Sequence, residues 1–205
     1  MNWHLFKAQL FDLGCFSIHQ VYAWQPGFDR NNLARWLDKG YLVRLRRGLY
    51  TFPEHLGNPD MAAFFACAIY KPSYISLHRA LAFYGLIPEA VSQITSVTSR
   101  KTAAFSNAFG DYSYKSVRPD LMFGYILQPL ADGRSTAFAT REKALLDLLY
   151  LYPFYNTEAA LADLRLDEEV LHTDLNRSEW DIFVARFCCT ALERRAQRLA
   201  KVYDL

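Results

Sequence analysis

The apolar positions at the start of the chain repeat with helical spacing. Phe6, Leu10 and Leu13 fall on one face, and Gly14 is placed to end the helix they define. Ser17 is a natural N-cap for a second short helix over 18–24, with Ile18, Val21 and Tyr22 facing inward. Gln25-Pro26-Gly27 breaks it. Asp29 then suits the N-cap of a third helix that Gly40 ends, with Leu33, Trp36 and Leu37 on its inner stripe and Tyr41 after them. From Leu42 the period changes from helix to strand. Residues 42–52 read as two short strands around a tight turn at Gly48, with Val43 and Leu45 on one face, Arg44 and Arg46 on the other, and Arg47 at the tip. Three helices and a hairpin in this order predict a winged helix-turn-helix over 1–52.

Residues 53–59 are rich in Pro, Gly and polar side chains and read as a linker. A buried helix of about 59–70 follows. Ser76 is placed to cap a further short helix that Gly85 ends and Pro88 forbids to resume. Strands are expected at 93–98, 111–118, 122–129 and 135–139. A helix over 141–152 buries Ala144, Leu145, Leu148, Leu149 and Tyr152, and 178–203 reads as helical with a break near 188–190. The predicted class is therefore α+β: the winged helix followed by a mixed α+β body over 53–205. No uncharged apolar run approaches the roughly 18 residues of a membrane span.

The outer stripe of the third helix decides the functional reading. Asn31, Arg35 and Lys39 are spaced for one face, with Arg30 and Asn32 in the first turn. Arg donates twice to guanine, Asn pairs twice with adenine, and Lys reaches phosphates. Recognition helices read bases near their N-termini, where Arg30, Asn31 and Asn32 lie. Arg44, Arg46 and Arg47 on the hairpin suit a wing that touches phosphate or the minor groove. Double-stranded DNA is the partner this pattern fits. Asp29 and Asp38 dilute the basic face, so a protein-docking module stays open as the alternative.

Charge distribution favours DNA more than net charge does. The chain of 205 residues carries only +2, but residues 1–52 hold seven Lys/Arg against three Asp/Glu. The basic excess thus sits on the expected reading head. The four cysteines and five histidines show no metal-ligand spacing. The thiols read as reduced core residues of a cytoplasmic protein, and no cofactor is expected.

Four segments together resemble the AbiEi family, the antitoxins of type IV toxin–antitoxin systems. They are WLDKGYLVRLRRGLYTF (36–52), YISLHRALAFYGLIPE (74–89), ITSVTSRKTAAF (94–105) and FATREKALLDLLYLYP (138–153), and their order and spacing match as well. The resemblance implies an N-terminal winged helix that binds DNA and represses its own promoter. It also implies a C-terminal domain that supplies antitoxin activity. The implied partner is a nucleotidyltransferase-like toxin, countered without a stable complex being required.

Catalytic motifs are sparse. Phosphate-binding glycine loops, His-Glu zinc motifs and G-x-S-x-G are absent. A metal nuclease would need an acid followed by Glu-x-Lys on a strand. Asp111, Asp120 and the adjacent Glu142-Lys143 come nearest, but Glu142 and Lys143 open a helix, where neighbouring side chains diverge by about 100°. His78, Arg79, Arg100 and Lys101 remain as a candidate patch on the body, and solvation explains the charged tail helix.

Overall fold

The computed structural model describes all 205 residues and is mixed α and β. The N-terminal unit runs α1 (Trp3–Leu10), β1 (Cys15–Ser17), α2 (Ile18–Trp24), α3 (Asn31–Asp38), β2 (Val43–Arg46) and β3 (Leu49–Thr51). The strands form an antiparallel sheet in the order β1-β3-β2. Sequence periodicity missed β1, which is too short to show an alternation of its own. It exists because Cys15, Phe16 and Ser17 meet Thr51, Tyr50 and Leu49 across the ladder.

Local chemistry explains the helix ends. Gly14 adopts φ +72° after a 3-10 turn over Phe11–Leu13, so the first helix stops at Leu10 and Leu13 faces solvent instead of the core. Ser17 and Gln20 form a reciprocal capping box at the start of α2. Of the three residues expected inside on α2, Val21 is fully buried, Ile18 partly, and Tyr22 is exposed. Phe6, Phe16, Phe28, Leu33, Trp36 and Phe52 make an aromatic core for this unit, with the Phe6 and Trp36 rings 4.5 Å apart.

The expected linker is a 3-10 turn, Pro53–Gly57, whose His55 stacks on Phe11 at 4.6 Å between centroids. The body follows as α4 (Met61–Ile69), β4 (Ser73–Ile75), α5 (Leu77–Phe83), β5 (Ile94–Thr98), β6 (Ala103–Asn107), β7 (Gly110–Ser116), β8 (Tyr125–Pro129) and β9 (Ser135–Ala139). Then come α6 (Arg141–Leu151), α7 (Glu158–Ala162), α8 (Glu168–Asp174), α9 (Arg177–Phe187) and α10 (Thr190–Val202). One six-stranded sheet runs β6-β7-β5-β4-β9-β8, with β5–β7 and β4–β9 parallel and the other pairs antiparallel. Strands β4 and β6 and helices α7 and α8 were not anticipated.

Helix α6 is the spine of the body. Seven of its buried residues, from Lys143 through Leu149, pack between α5, α9, α10 and the sheet. Cys188 takes the left-handed conformation between α9 and α10, which sets the break foreseen near 188–190. Cys15, Cys67 and Cys189 pack partly buried against the body's hydrophobic cluster and Cys188 is exposed, so three of the four thiols lie at the core's margin. No helix is long and apolar enough to cross a membrane.

The N-terminal unit is clamped to the body. Leu45 belongs to the body's hydrophobic cluster, not to that of its own unit. Asn107 donates to the Leu45 carbonyl at 3.2 Å, and Arg134 donates to the Asp12 carbonyl at 3.0 Å. A Cβ on Gly14 would stand 2.9 Å from both Arg134 and Phe64, so this turn needs glycine for its backbone and for its neighbours.

Candidate nucleic-acid interface

Helix α3 is presented by its inner face. Leu33 and Trp36 are 2% and 7% exposed and leave Asn31, Arg35 and Lys39 in solvent. Its first turn is capped by Asp29, one residue earlier than the helix-flanking Arg30. The Asp29 carboxylate accepts from the Asn31 N–H at 2.9 Å. Gly40, at φ +69°, ends the helix and lets Tyr41 and Leu42 donate back to the Trp36 carbonyl.

Asn32 lies elsewhere than its sequence neighbours suggest. It is 6% exposed, its Nδ2 donates to the Asp29 carbonyl at 3.0 Å, and its Oδ1 accepts from the Arg35 guanidinium at 2.5 Å. It is a brace for the first turn and for Arg35, and its amide has no open edge for a base. An i, i+3 spacing from Arg35 was the available signal.

The hairpin separates its arginines. The ladder between β2 and β3 slips between Arg44 and Arg46, so strict alternation fails there. Arg44 and Arg47 are exposed, with the turn made by Gly48 at φ +81°. Arg46 instead turns onto the body: its guanidinium donates to the Ile69 carbonyl at 2.5 Å and lies over the Phe105 ring at 5.2 Å. The expectation that Arg44 and Arg46 share a face is therefore corrected.

Arg30, Arg44 and Arg47 converge on one open cleft of about 450 Å³, floored by Gly48 and Tyr50. None of the three makes an ion pair with an acid of the chain. Unneutralised guanidinium groups at the start of a helix and on an adjacent hairpin suit the oxygens of a phosphate backbone. Tyr50 was not singled out by the sequence; its cross-strand register with Arg44 brings it here.

The acid–lysine set of the body is otherwise engaged. Glu142 is 3% exposed and accepts from the Asn176 N–H at 2.8 Å, which fastens the start of α9. Lys143 turns the other way, to Asp147 at 2.6 Å, and both are fully buried. Asp147 also accepts from Tyr74 at 2.9 Å and Ser76 at 2.8 Å. Ser76 makes no cap bond to α5, and the hydroxyl of Thr95 caps the helix in its place by accepting from the Arg79 N–H at 3.1 Å. Asp120 pairs with Arg118, and Asp111 lies exposed on β7. His78 is half-buried, and burial lowers its pKa. Arg100 stacks on Tyr70 and donates to the Lys71 carbonyl, while Lys101 is exposed.

No curated protein matches the chain. Residues 8–53 match a family model described as "Transcriptional regulator, AbiEi antitoxin", a regulatory family and not a class of enzymes. The match runs from α1 through β3, the segment that carries the helix face and the arginine cleft. Over this segment the chain is similar to the AbiEi antitoxin transcriptional regulators.

Proposed function

We propose that the N-terminal unit is a winged helix-turn-helix that binds double-stranded DNA, and that the chain represses its own promoter as the antitoxin of a type IV toxin–antitoxin system. In this reading residues 1–52 are the DNA-binding domain and 53–205 the antitoxin domain. The observation that carries the proposal is the convergence of Arg30, Arg44 and Arg47 on one open cleft beside the exposed stripe Asn31, Arg35 and Lys39.

Helix α3 enters the major groove. Asn31 and Arg35 meet base edges, Lys39 meets backbone, and the cleft arginines hold phosphate. Asn32 and Arg46 serve from behind: Asn32 positions Arg35, and Arg46 anchors the wing to the body. The functional partner is a nucleotidyltransferase-like toxin in the cytoplasm, countered without a stable complex being required. Support comes from the family match over residues 8–53 and from the basic excess in the same segment.

Fluorescence anisotropy of the full chain, against duplex DNA from upstream of its own gene and against a scrambled duplex, tests the reading. Tighter and salt-sensitive binding to the upstream duplex is expected. Absence of binding to both duplexes at low salt would refute it.

A further inference from the structure

A second opening, about 370 Å³, lies in the seam between the N-terminal unit and the body. Cys15, Gln20 and Leu49 line it from one side, and Phe64, Cys67 and Lys71 from the other. It thus touches α2, which supports α3, the wing strand β3, and the body helix α4. Ligand sites favour such seams between packed units.

The walls are mainly apolar. Burial pushes the Cys15 thiol up to about 11 and raises that of Cys67 as well, so both sulfurs are neutral surface. The polar side chains of the lining are Gln20, Lys71, Ser135 and Thr136, and the Thr136 hydroxyl donates to the Ala63 carbonyl at 3.1 Å. Lys71 is the one charged side chain in the lining and makes no ion pair. Burial dominates at both thiols, and the Lys71 ammonium acts against it at each, joined by Arg134 at Cys15. Gln20 accepts from Ser17 through Oε1, at 2.8 Å from the backbone N–H and 3.1 Å from the hydroxyl. Its Nε2 therefore remains to donate. An apolar slot with a cation and an amide donor, and no carboxylate, complements an apolar molecule with an anionic end.

We propose that this seam binds a small amphipathic anion, an aromatic or aliphatic carboxylate or sulfonate, and that the bound molecule tunes how the N-terminal unit is held for DNA. The site itself stands apart from the DNA-reading proposal; its effect on DNA rests on that proposal.

The probe is anilinonaphthalene sulfonate, with uncharged phenylnaphthylamine as its neutral counterpart, titrated into the folded full chain. Wild type binds one sulfonate dye per chain. Ala68→Phe, which fills the seam from α4, weakens both dyes by about tenfold. Lys71→Gln weakens the sulfonate by about tenfold and leaves the neutral dye unchanged. Thermal melts of the variants confirm that each is folded. Absence of sulfonate binding to wild type, or equal binding to all three proteins, overturns the site.

In a second arm, saturating sulfonate shifts the affinity of wild type for its upstream duplex and leaves Ala68→Phe unaffected. If the dye binds as stated and DNA affinity does not move, the regulatory half is overturned. If the chain binds no DNA at all, the DNA-reading proposal fails while the dye titrations still decide the site.

Discussion

Arg44 and Arg46 stand two residues apart on β2 yet serve different neighbours. Arg44 opens onto the cleft with Arg30 and Arg47, whereas Arg46 is pinned to the Ile69 carbonyl by the slip in the ladder between them. The two residues are one kind of side chain in two roles. Arg44→Ala should weaken binding to every DNA sequence and lower the slope of log affinity against log salt by about 1. Arg46→Ala should leave that slope unchanged and cost about 1–2 kcal/mol of stability, through a lost charge-assisted hydrogen bond and ring contact. Urea melts beside anisotropy separate the two effects; equal loss of salt slope in both variants would contradict the division.

Asn31 and Asn32 divide in the same way. Asn31→Ala should relax sequence preference at one base pair and leave the melting temperature within error, because the side chain is exposed. Asn32→Ala removes both ends of a bridge between Asp29 and Arg35 and should cost about 1–2 kcal/mol. A discrimination assay against single-base operator variants, read beside denaturation curves, tells them apart. Loss of stability in Asn31→Ala with none in Asn32→Ala would reverse the assignment.

Lys143 and Asp147 form a fully buried ion pair in the body. Burial pushes the Asp147 carboxyl up and the Lys143 ammonium down, and each partner opposes the other's shift. Lys143→Met strands a buried carboxylate and should cost about 3–5 kcal/mol, while the double variant Lys143→Met/Asp147→Leu should recover much of that loss. The recovery is incomplete because Tyr74 and Ser76 then lose their acceptor. Additive losses in urea denaturation would show that the two residues are not a unit.

His55 gives the chain a dependence on mild acid. Burial, aided by the nearby Arg134, lowers its pKa below the usual 6.5, so the folded chain prefers the neutral ring. The unfolded chain then binds the extra proton between the folded value and 6.5. Stability is complete above 6.5 and is lost as pH falls from there toward the folded value. The melting temperature should therefore drop on acidification below 6.5, and His55→Phe should shallow that drop. Some slope remains, because burial lowers the pKa of His78 too. An unchanged slope in His55→Phe would remove His55 from this effect.

The local features of the fold are legible in the sequence. The Ser17 N-cap, the turns at Gly14, Gly40 and Gly48, and the long apolar runs that became α4 and α6 each depend on a few neighbouring residues. What escaped was set by partners far along the chain. β1 exists through β3, β4 lies between β5 and β9, and β6 folds back on β7. Three-residue strands such as β1 and β4 carry too few positions to show a period. The ladder slip that turned Arg46 away is invisible to simple alternation, and so was the replacement of Ser76 by Thr95 as a helix cap. Of the eight residues expected at the interface, Arg30, Asn31, Arg35, Lys39, Arg44 and Arg47 are exposed, while Asn32 and Arg46 are engaged inside the protein.

The most direct test is the salt dependence of upstream-DNA affinity for wild type and for Arg30→Ala/Arg44→Ala/Arg47→Ala. If the cleft holds phosphate, the triple variant stays folded, binds all duplexes more weakly, and loses about 2–3 from the slope of log affinity against log salt. A triple variant with wild-type affinity and slope would contradict the placement of DNA at this cleft.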